Sequence, residues 1–303
     1  MKTEMLGLSA LLEANQLDGL RESYNDDSPF FVKNLTTHFN DLVGLDFLNG
    51  LESLLRSWPK KVYAHLPDVN DELNSIEVTP EDAAKLFKTG LGLRFSEVNK
   101  KSEILEDWLK QIQHEFGFSQ LTYSRCIAYA TPKNKGNAAH FDQNYNIVLQ
   151  LTGKKKWWVA DNTTVMNPLT RHTLNSETDP ELASYTHQEW PLDMPEDAEE
   201  FELGPGSLLF VPRGAWHKTL ASEDSLALNF TFSAPTYLDS LSAALRGRLA
   251  QSPLWRETID GLNSEQGFIN SAQKFNELIE ELKIDVQTWD AMGILGATEF
   301  TEE

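Results

Sequence analysis

The sequence predicts a mainly β core with helical segments on either side of it. Between about residues 120 and 235, Gly, Pro and Asn turn signals separate four β-type runs, with no long helix between them: LTYSRCIAYATP, NYNIVLQLTGKKKWWVAD, EEFELGPGSLLFVPRGAWHKT and DSLALNFTFSAP. Strands that follow one another in this way indicate an antiparallel sandwich or barrel. At 303 residues, the chain is long enough for one large domain and a smaller appendage.

The part of the chain before the β region is predicted to be helical and mixed, and to pack on the barrel. Its clearest signal is a helix start at Thr79 as N-cap, with Pro80 in the first helical position and Gly90 at the end. Apolar residues at helical spacing predict the other helices. Helices are therefore expected over 4–24, 40–59, 79–90 and 102–117, with short strands over 29–35 and 60–67.

The chain after Pro235 is predicted to be helical again, over 237–251, 253–262 and 265–285. Leucine, isoleucine and phenylalanine recur there at helical spacing and form apolar stripes. Such stripes can pack on their own barrel or pair with the same helices of a second subunit. The predicted organisation is a helical and mixed part over 1–119, a β core over 120–235 and a C-terminal helical segment over 236–303.

Composition narrows the range of functions. The formal charge of −20 argues against general affinity for nucleic acid, because phosphates would be repelled, and it is compatible with a basic protein or peptide partner. Cys126 is the only cysteine, so an internal disulfide and a thiolate zinc cluster within one chain are both ruled out. The sequence has no membrane-spanning apolar run, and its N-terminus does not resemble a signal peptide. We therefore expect a cytoplasmic protein.

A His-x-Asp pair stands at the start of one β-type run, in NAAHFDQNYN. Side chains at positions i and i+2 of a strand point to the same face, so His140 and Asp142 are expected to converge. His217 lies at the end of GPGSLLFVPRGAWHKT, after a strongly apolar strand that a Gly-Pro-Gly turn begins. Two histidines and one carboxylate form the facial triad of non-haem Fe(II) oxygenases, which leaves coordination positions open.

The other histidines are weaker candidates for the third ligand. Three of them lie in the N-terminal part, at His38, His65 and His114. His172 and His187 lie in a polar insertion over residues 161–200. Should His217 not be the ligand, these last two are the next to test.

The stretch IAYATPKNKGNAAHFDQNYNIVLQLTGKKKWWVA resembles the core of the JmjC-type 2-oxoglutarate oxygenases, and within them the ribosomal-oxygenase group, which is cupin-4-like and cupin-8-like. LGPGSLLFVPRGAWHKTLASEDSLALNFTFSAP resembles the second half of that core, and its ending is also similar to the asparagine hydroxylase that inhibits hypoxia-inducible factor. The resemblance covers residues 120–235 and implies a double-stranded β-helix of the jelly-roll or cupin type.

The resemblance also implies roles for individual residues. His140, Asp142 and His217 correspond to the metal ligands and catalytic centre. The family binds the distal carboxylate of 2-oxoglutarate with a basic residue fifteen positions after the first His, which is Lys155 here, and with a tyrosine that matches Tyr129. Lys154 and Lys156 compete for this role, but period-two alternation places them on the opposite strand face.

The sequence leaves the roles of several neighbouring residues open. Asn146 and Asn229 match polar positions around the co-substrate, and a buried Asn needs hydrogen-bond partners. Asn137 stands where some relatives have Thr. Ile127 departs from an Asn found near the metal in part of the ribosomal-oxygenase group, which leaves the subgroup open. The tryptophans are expected in the core, with Trp216 kept as a weak pocket candidate because it precedes a ligand; the others are Trp157 and Trp158.

The function implied is that of an Fe(II)- and 2-oxoglutarate-dependent dioxygenase. With O2, it would hydroxylate a protein or peptide side chain, for example of a basic ribosomal protein, and release succinate and CO2. A hydroxylase of a small molecule is one alternative. A metal-binding cupin without oxygenase activity and a non-catalytic interaction module are the others. The resemblance also implies a homodimer through the C-terminal helices, and neither a nucleic-acid partner nor a membrane is expected.

Overall fold

The computed structural model describes residues 7–35, 38–66 and 74–299. It forms two compact units, one made of residues up to Ser233 except 119–122, the other of 119–122 with the chain from Ala234 onward. The helices are α1 (Leu8–Leu11), α2 (Ala14–Asn25), α3 (His38–Val43), α4 (Leu51–Ser57), α5 (Pro80–Lys88), α6 (Glu103–Glu115), α7 (Pro180–Tyr185), α8 (Tyr237–Leu249), α9 (Glu265–Val286) and α10 (Ala291–Glu299).

The strands of the first unit form two antiparallel sheets. The strands are β1 (Phe30–Val32), β2 (Val62–His65), β3 (Ser75–Val78), β4 (Leu93–Phe95), β5 (Tyr123–Thr131), β6 (His140–Phe141), β7 (Tyr145–Thr152), β8 (Lys155–Ala160), β9 (His172–Thr173), β10 (Glu199–Leu203), β11 (Leu208–Val211), β12 (Trp216–Ala221) and β13 (Ser225–Ser233). The larger sheet has the order β1-β11-β7-β13-β5-β4-β2-β3, and the smaller one has the order β10-β8-β12-β6-β9. The predicted antiparallel β core is confirmed.

One face of the larger sheet carries the main hydrophobic core. Along β5, Cys126, Ala128 and Ala130 are buried among the residues of that core, which also takes in the buried faces of the N-terminal helices. Trp108 and Leu109 of α6 belong to it. Because side chains alternate along a strand, the odd-numbered residues of β5 face the other way. The N-terminal helices therefore cover one face of the sheet, and the interior between the sheets is left for other side chains.

The N-terminal helices are shorter than the sequence predicts. The predicted helix over 40–59 is divided into α3, a 3-10 turn at Asp46–Leu48 and α4. Gly50 precedes α4 with a φ of 95°, a left-handed conformation that suits glycine and interrupts a helix. The helix predicted at 79–90 is confirmed, with Thr79 Oγ1 accepting a hydrogen bond from the Asp82 amide. Residues 4–6 and Pro67 of the predicted elements lie outside the described residues.

The second unit consists of α8, α9, α10 and a 3-10 turn. That turn covers only Leu254–Arg256, so the prediction of a helix over 253–262 was wrong. Arg248 of α8 donates through its Nε and Nη2 to both carboxylate oxygens of Asp285 of α9, and Trp289 Nε1 donates to the same carboxylate. These two donors hold the pKa of Asp285 down to about 2. None of the described helices is long and apolar enough to cross a membrane.

Candidate metal centre

His140 and His217 lie directly opposite each other in the smaller sheet. β6 and β12 pair antiparallel with these two residues in register, and their ring centroids are 4.1 Å apart. His140 Nδ1 lies 2.8 Å from the carbonyl of Ala138, and His217 Nδ1 lies 3.0 Å from that of Ala215. A Nδ1–H that donates to a carbonyl fixes the tautomer and makes Nε2 the ligand atom.

Asp142 completes the cluster, as predicted, although not from within a strand. β6 ends at Phe141, and Asp142 lies in the connection to β7, where its carbonyl accepts a hydrogen bond from the Gly214 amide at 2.9 Å. Asp142 Oδ2 is 3.7 Å from His217 Nε2. Asp142 therefore approaches the histidines because a hydrogen bond holds its turn against the loop before β12, and not because of alternation along a strand.

The three side chains fit a divalent transition metal. One ligand atom from each of His140, Asp142 and His217 lies within 4.8 Å of the others, and among the described residues no other group of three His, Cys, Asp or Glu does so. Nitrogen and carboxylate ligands bind such ions at about 2.0–2.2 Å, so donors 3.7 Å apart can share one ion. Two imidazoles and one carboxylate match the donor set of non-haem Fe(II) sites.

Lys155 is buried, whereas its two neighbours are not. It begins β8 with 4% of its surface exposed, and its Nζ donates to Thr131 Oγ1 of β5 at 3.2 Å. Lys154 forms an ion pair with Glu223 at the surface, and Lys156 forms one with Glu200. The alternation argument therefore selected the one lysine of the three that enters the interior between the sheets. A buried ammonium is expected to have an anionic partner.

Tyr129 shares the face of β5 that receives Lys155. It lies two positions before Thr131, and residues two apart in a strand point to the same side. Tyr129 is half-buried and is paired in register with Ala227 of β13 and Arg94 of β4. The structure thus places Tyr129 on the face of β5 that Lys155 contacts through Thr131, and its role in binding the co-substrate stays a prediction.

Asn146 and Asn229 form a hydrogen-bond chain that ends on Asp142. Asn146 Nδ2 donates to Asp142 Oδ2 at 3.3 Å. Asn146 Oδ1 accepts from Asn229 Nδ2 at 3.2 Å and from Thr231 Oγ1 at 3.0 Å. The buried Asn229 Oδ1 has no hydrogen-bond partner among the described residues. Asn146 thus contacts the Asp142 carboxylate directly, and Asn229 is connected to it through Asn146.

The tryptophans divide between the site and the core. Trp157 stacks on His217 with centroids 5.8 Å apart, and Lys155 Nζ lies 5.5 Å from the Trp157 ring centroid. Trp216 is 1% exposed and packs on Phe141 in a separate hydrophobic cluster. Trp216 is therefore a core residue, and Trp157, which is also buried, contacts both Lys155 and His217.

The remaining candidates are not members of the metal-ligating group. The Asn137 amide donates a hydrogen bond to Thr219 Oγ1, and the Asn137 carbonyl accepts one from the Thr219 amide. Ile127 is buried on β5. His172 is buried and stacked on Trp190 at 4.3 Å, whereas His187 is exposed. Neither histidine belongs to the metal-ligating group, and the side chain of His38 lies outside the described residues.

Sequence reasoning missed two residues. Thr131 accepts the Lys155 hydrogen bond, and its spacing of two from Tyr129 could have found it. Arg171 Nε lies 3.5 Å from Asp142 Oδ1, a contact that no periodicity indicates because it joins residues 29 positions apart through an irregular insertion.

The fold and this site together define a metal-binding double-stranded β-helix protein. Residues 100–240 match the family model described as JmjC domain. This stretch, somewhat less than half of the chain, is thus similar to a JmjC domain. This match and the His-Asp-His cluster agree with the predicted resemblance to 2-oxoglutarate-dependent oxygenases, which use Fe(II) and O2.

Relatives of the chain include bacterial and animal proteins. It is 28% identical over 281 residues to the uncharacterized protein YxbC of Bacillus subtilis, a match that covers 91% of this chain and 84% of YxbC. It is 29% identical over 215 residues to human ribosomal oxygenase 1, which covers 67% of this chain and 31% of the human protein. The chain thus spans less than a third of that larger relative.

Solved structures show the same fold. The crystal structure of the Escherichia coli ribosomal oxygenase YcfD superposes with a TM-score of 0.53 at 17% identity, covering 91% of this chain and 68% of YcfD. At this identity the likeness concerns the fold alone. It confirms the predicted JmjC-type β-helix with helical additions.

Proposed function

We propose that the protein uses Fe(II), 2-oxoglutarate and O2 to hydroxylate a side chain of a protein or peptide, with a basic ribosomal protein as the preferred class of substrate. The observation that carries the proposal is the pairing of a His-Asp-His cluster with a buried lysine fifteen positions after the first histidine. A metal-binding barrel that does not take a dianionic co-substrate has no need for a buried cation there.

The residues of the chain would divide the work as follows. His140, Asp142 and His217 would hold Fe(II), and this ion supplies the activation of O2 when it is bound. Lys155 would hold the distal carboxylate of 2-oxoglutarate by charge and hydrogen bonding, and the Tyr129 hydroxyl would donate to the same group.

Charge is the main support for a basic substrate. The chain carries a formal charge of −20, and complementary potentials accelerate the encounter of a basic partner with an acidic surface. The relative named ribosomal oxygenase 1 supports the same class, because ribosomal proteins are rich in lysine and arginine. The proposal places the reaction in the cytoplasm, where such substrates are made.

The proposal includes a homodimer formed through the C-terminal helices. Large apolar side chains of α8 and α9 are 40–62% exposed, at Leu238, Leu241, Phe268, Ile269, Phe275 and Ile279. Exposed apolar surface on this scale is typical of protein interfaces. A two-fold partner that presents the same helices would cover it, since two-fold dimers are the commonest closed assembly.

The test measures succinate formed from 2-oxoglutarate by the iron-loaded protein, first alone and then with purified ribosomal proteins. Mass spectrometry of the products should reveal a gain of one oxygen on a ribosomal protein, and succinate release should rise with that substrate. Failure to bind or turn over 2-oxoglutarate would contradict the oxygenase. Turnover with small metabolites but with no ribosomal protein would contradict the substrate class only.

A further inference from the structure

We propose that Arg171 is a positioning residue that restricts Asp142 to a single ligand atom and so keeps a coordination position of the metal open. This inference rests on the proposed metal site and deepens it. It concerns the insertion over residues 161–200, whose contribution the sequence left undefined.

The two oxygens of Asp142 have different surroundings. Oδ2 faces the cluster, 3.7 Å from His217 Nε2, and accepts from Asn146 Nδ2. Oδ1 faces Arg171, whose Nε lies 3.5 Å away. The side chains of Arg171 and Asp142 are only 12% and 20% exposed, so water screens their attraction less than at the surface. The guanidinium thus forms an ion pair with Oδ1, and Oδ2 is the oxygen that faces the two histidines.

The backbone on either side of Arg171 is anchored to the smaller sheet. His172 pairs with Phe141 and Thr173 with His140, and the Leu174 amide donates to the Ala139 carbonyl at 2.9 Å. The strand β9 is thus built directly on the ligand strand β6. Arg171 approaches Asp142 from a segment whose register is set by a metal ligand.

Side-chain packing fixes the same segment further along the chain. Trp190 stacks on His172 at 4.3 Å and lies edge-on to Trp216. On the other side, Arg213 Nη2 donates to the Pro168 carbonyl at 2.8 Å. Because both flanks are held, the backbone at Arg171 is fixed beside Asp142. The insertion thereby acts as a support for the metal-binding carboxylate.

The number of ligand oxygens decides what else the metal can bind. Carboxylates bind metals through one oxygen or through two. With two imidazoles and one oxygen, an octahedral ion keeps three positions open, enough for a two-point co-substrate and O2. A second oxygen from Asp142 would reduce the open positions to two. Fixing Oδ1 on Arg171 therefore protects the position that O2 requires.

The test counts the water molecules on bound Mn(II), without co-substrate or substrate. Water-proton relaxation enhancement is measured at saturating protein, with free Mn(II) followed by electron paramagnetic resonance. We expect Arg171→Gln to bind Mn(II) with an enhancement lower by about one third, because three bound waters become two. Arg171→Met keeps the side-chain length without the charge, and we expect the same fall in enhancement. The test therefore needs only one of the two variants to fold.

Arg213→Gln is the matched control, because Arg213 holds the same insertion but contacts Pro168 and Asn167 instead of Asp142. It should keep the wild-type enhancement. An unchanged enhancement in the folded Arg171 variants would overturn the proposal, as would an equal fall in Arg213→Gln. Wild-type protein that binds Mn(II) with three waters but never turns over 2-oxoglutarate would contradict the proposed function and leave this inference standing.

Discussion

His140 and His217 are matched across two antiparallel strands, and each Nδ1 lies against the backbone carbonyl of the residue two positions before it. The same local device thus orients both imidazoles, although the two residues are 77 positions apart. Both rings are nearly inaccessible, at 3% and 4% exposure. The backbone contacts therefore hold both rings in an orientation in which they can share one ion.

The first prediction concerns these ligands. His140→Ala or His217→Ala should weaken Fe(II) or Co(II) binding by more than about 100-fold, because losing a direct ligand exceeds the 10–100-fold cost of losing an outer contact. Calorimetric titration measures this, with circular dichroism to verify folding. His187→Ala, at an exposed position of the insertion, should bind like the wild type. Unchanged binding in His217→Ala would place the third ligand elsewhere.

The second prediction concerns the co-substrate. Lys155→Ala should weaken 2-oxoglutarate binding by about 2–4 kcal/mol, because removing one member of a buried charge pair leaves the other unpaired. Binding is measured on Co(II)-loaded protein in the absence of substrate. Lys154→Ala and Lys156→Ala are the controls, since both lysines are paired at the surface. Equal losses in all three variants would indicate a diffuse basic patch.

The third prediction concerns Thr131, whose hydroxyl accepts the hydrogen bond from Lys155. Thr131→Val keeps the shape of the side chain but removes the acceptor 3.2 Å from Lys155 Nζ. We expect 2-oxoglutarate binding to weaken by about 1 kcal/mol, the usual contribution of one hydrogen bond. Thr152→Val, at the exposed end of β7, is the matched control. A Thr131→Val variant that binds 2-oxoglutarate as tightly as the wild type would exclude a role in positioning the lysine.

The fourth prediction concerns assembly. The intact protein should elute at about twice its chain mass of 34.3 kDa in size exclusion with light scattering. Leu241→Glu or Phe268→Glu should shift it toward the monomer, because a charge in an apolar interface is costly. Leu192→Glu, at a position of the insertion that is 94% exposed, should leave the mass unchanged. A wild-type monomer at micromolar concentration would refute the dimer.

The fifth prediction concerns pH. The pKa of Asp285 is lowered from 3.8 to about 2, chiefly by its hydrogen bonds from Arg248 and then from Trp289. A depressed carboxyl pKa contributes stability that is present above about pH 4 and lost as the pH falls toward 2. Carboxyl carbon NMR should find a midpoint near 2 for Asp285. In Arg248→Gln the midpoint should rise toward 3.8, whereas in Arg246→Gln it should stay unchanged.

The linear chain was sufficient to predict the β core, the His-Asp-His cluster and the buried lysine. Alternation within one strand distinguishes Lys155 from Lys154 and Lys156, since adjacent strand residues face opposite sides whatever the fold. Motif spacing likewise singled out His140, Asp142 and His217 as the ligand set. Helix boundaries were less accurate, because Gly50 divides the segment 40–59 and nothing in its apolar periodicity indicates this.

Tertiary structure alone decided how the ligands are held. The Asn229–Asn146–Asp142 chain, the Thr131 acceptor and the Arg171 contact each join residues from different strands or loops. Such contacts depend on strand order and on the path of an irregular insertion, which local propensity and periodicity do not encode. The sequence thus determined which chemical groups the protein brings to its centre, and the packing of the two sheets determined which oxygen, nitrogen or hydroxyl each of them faces.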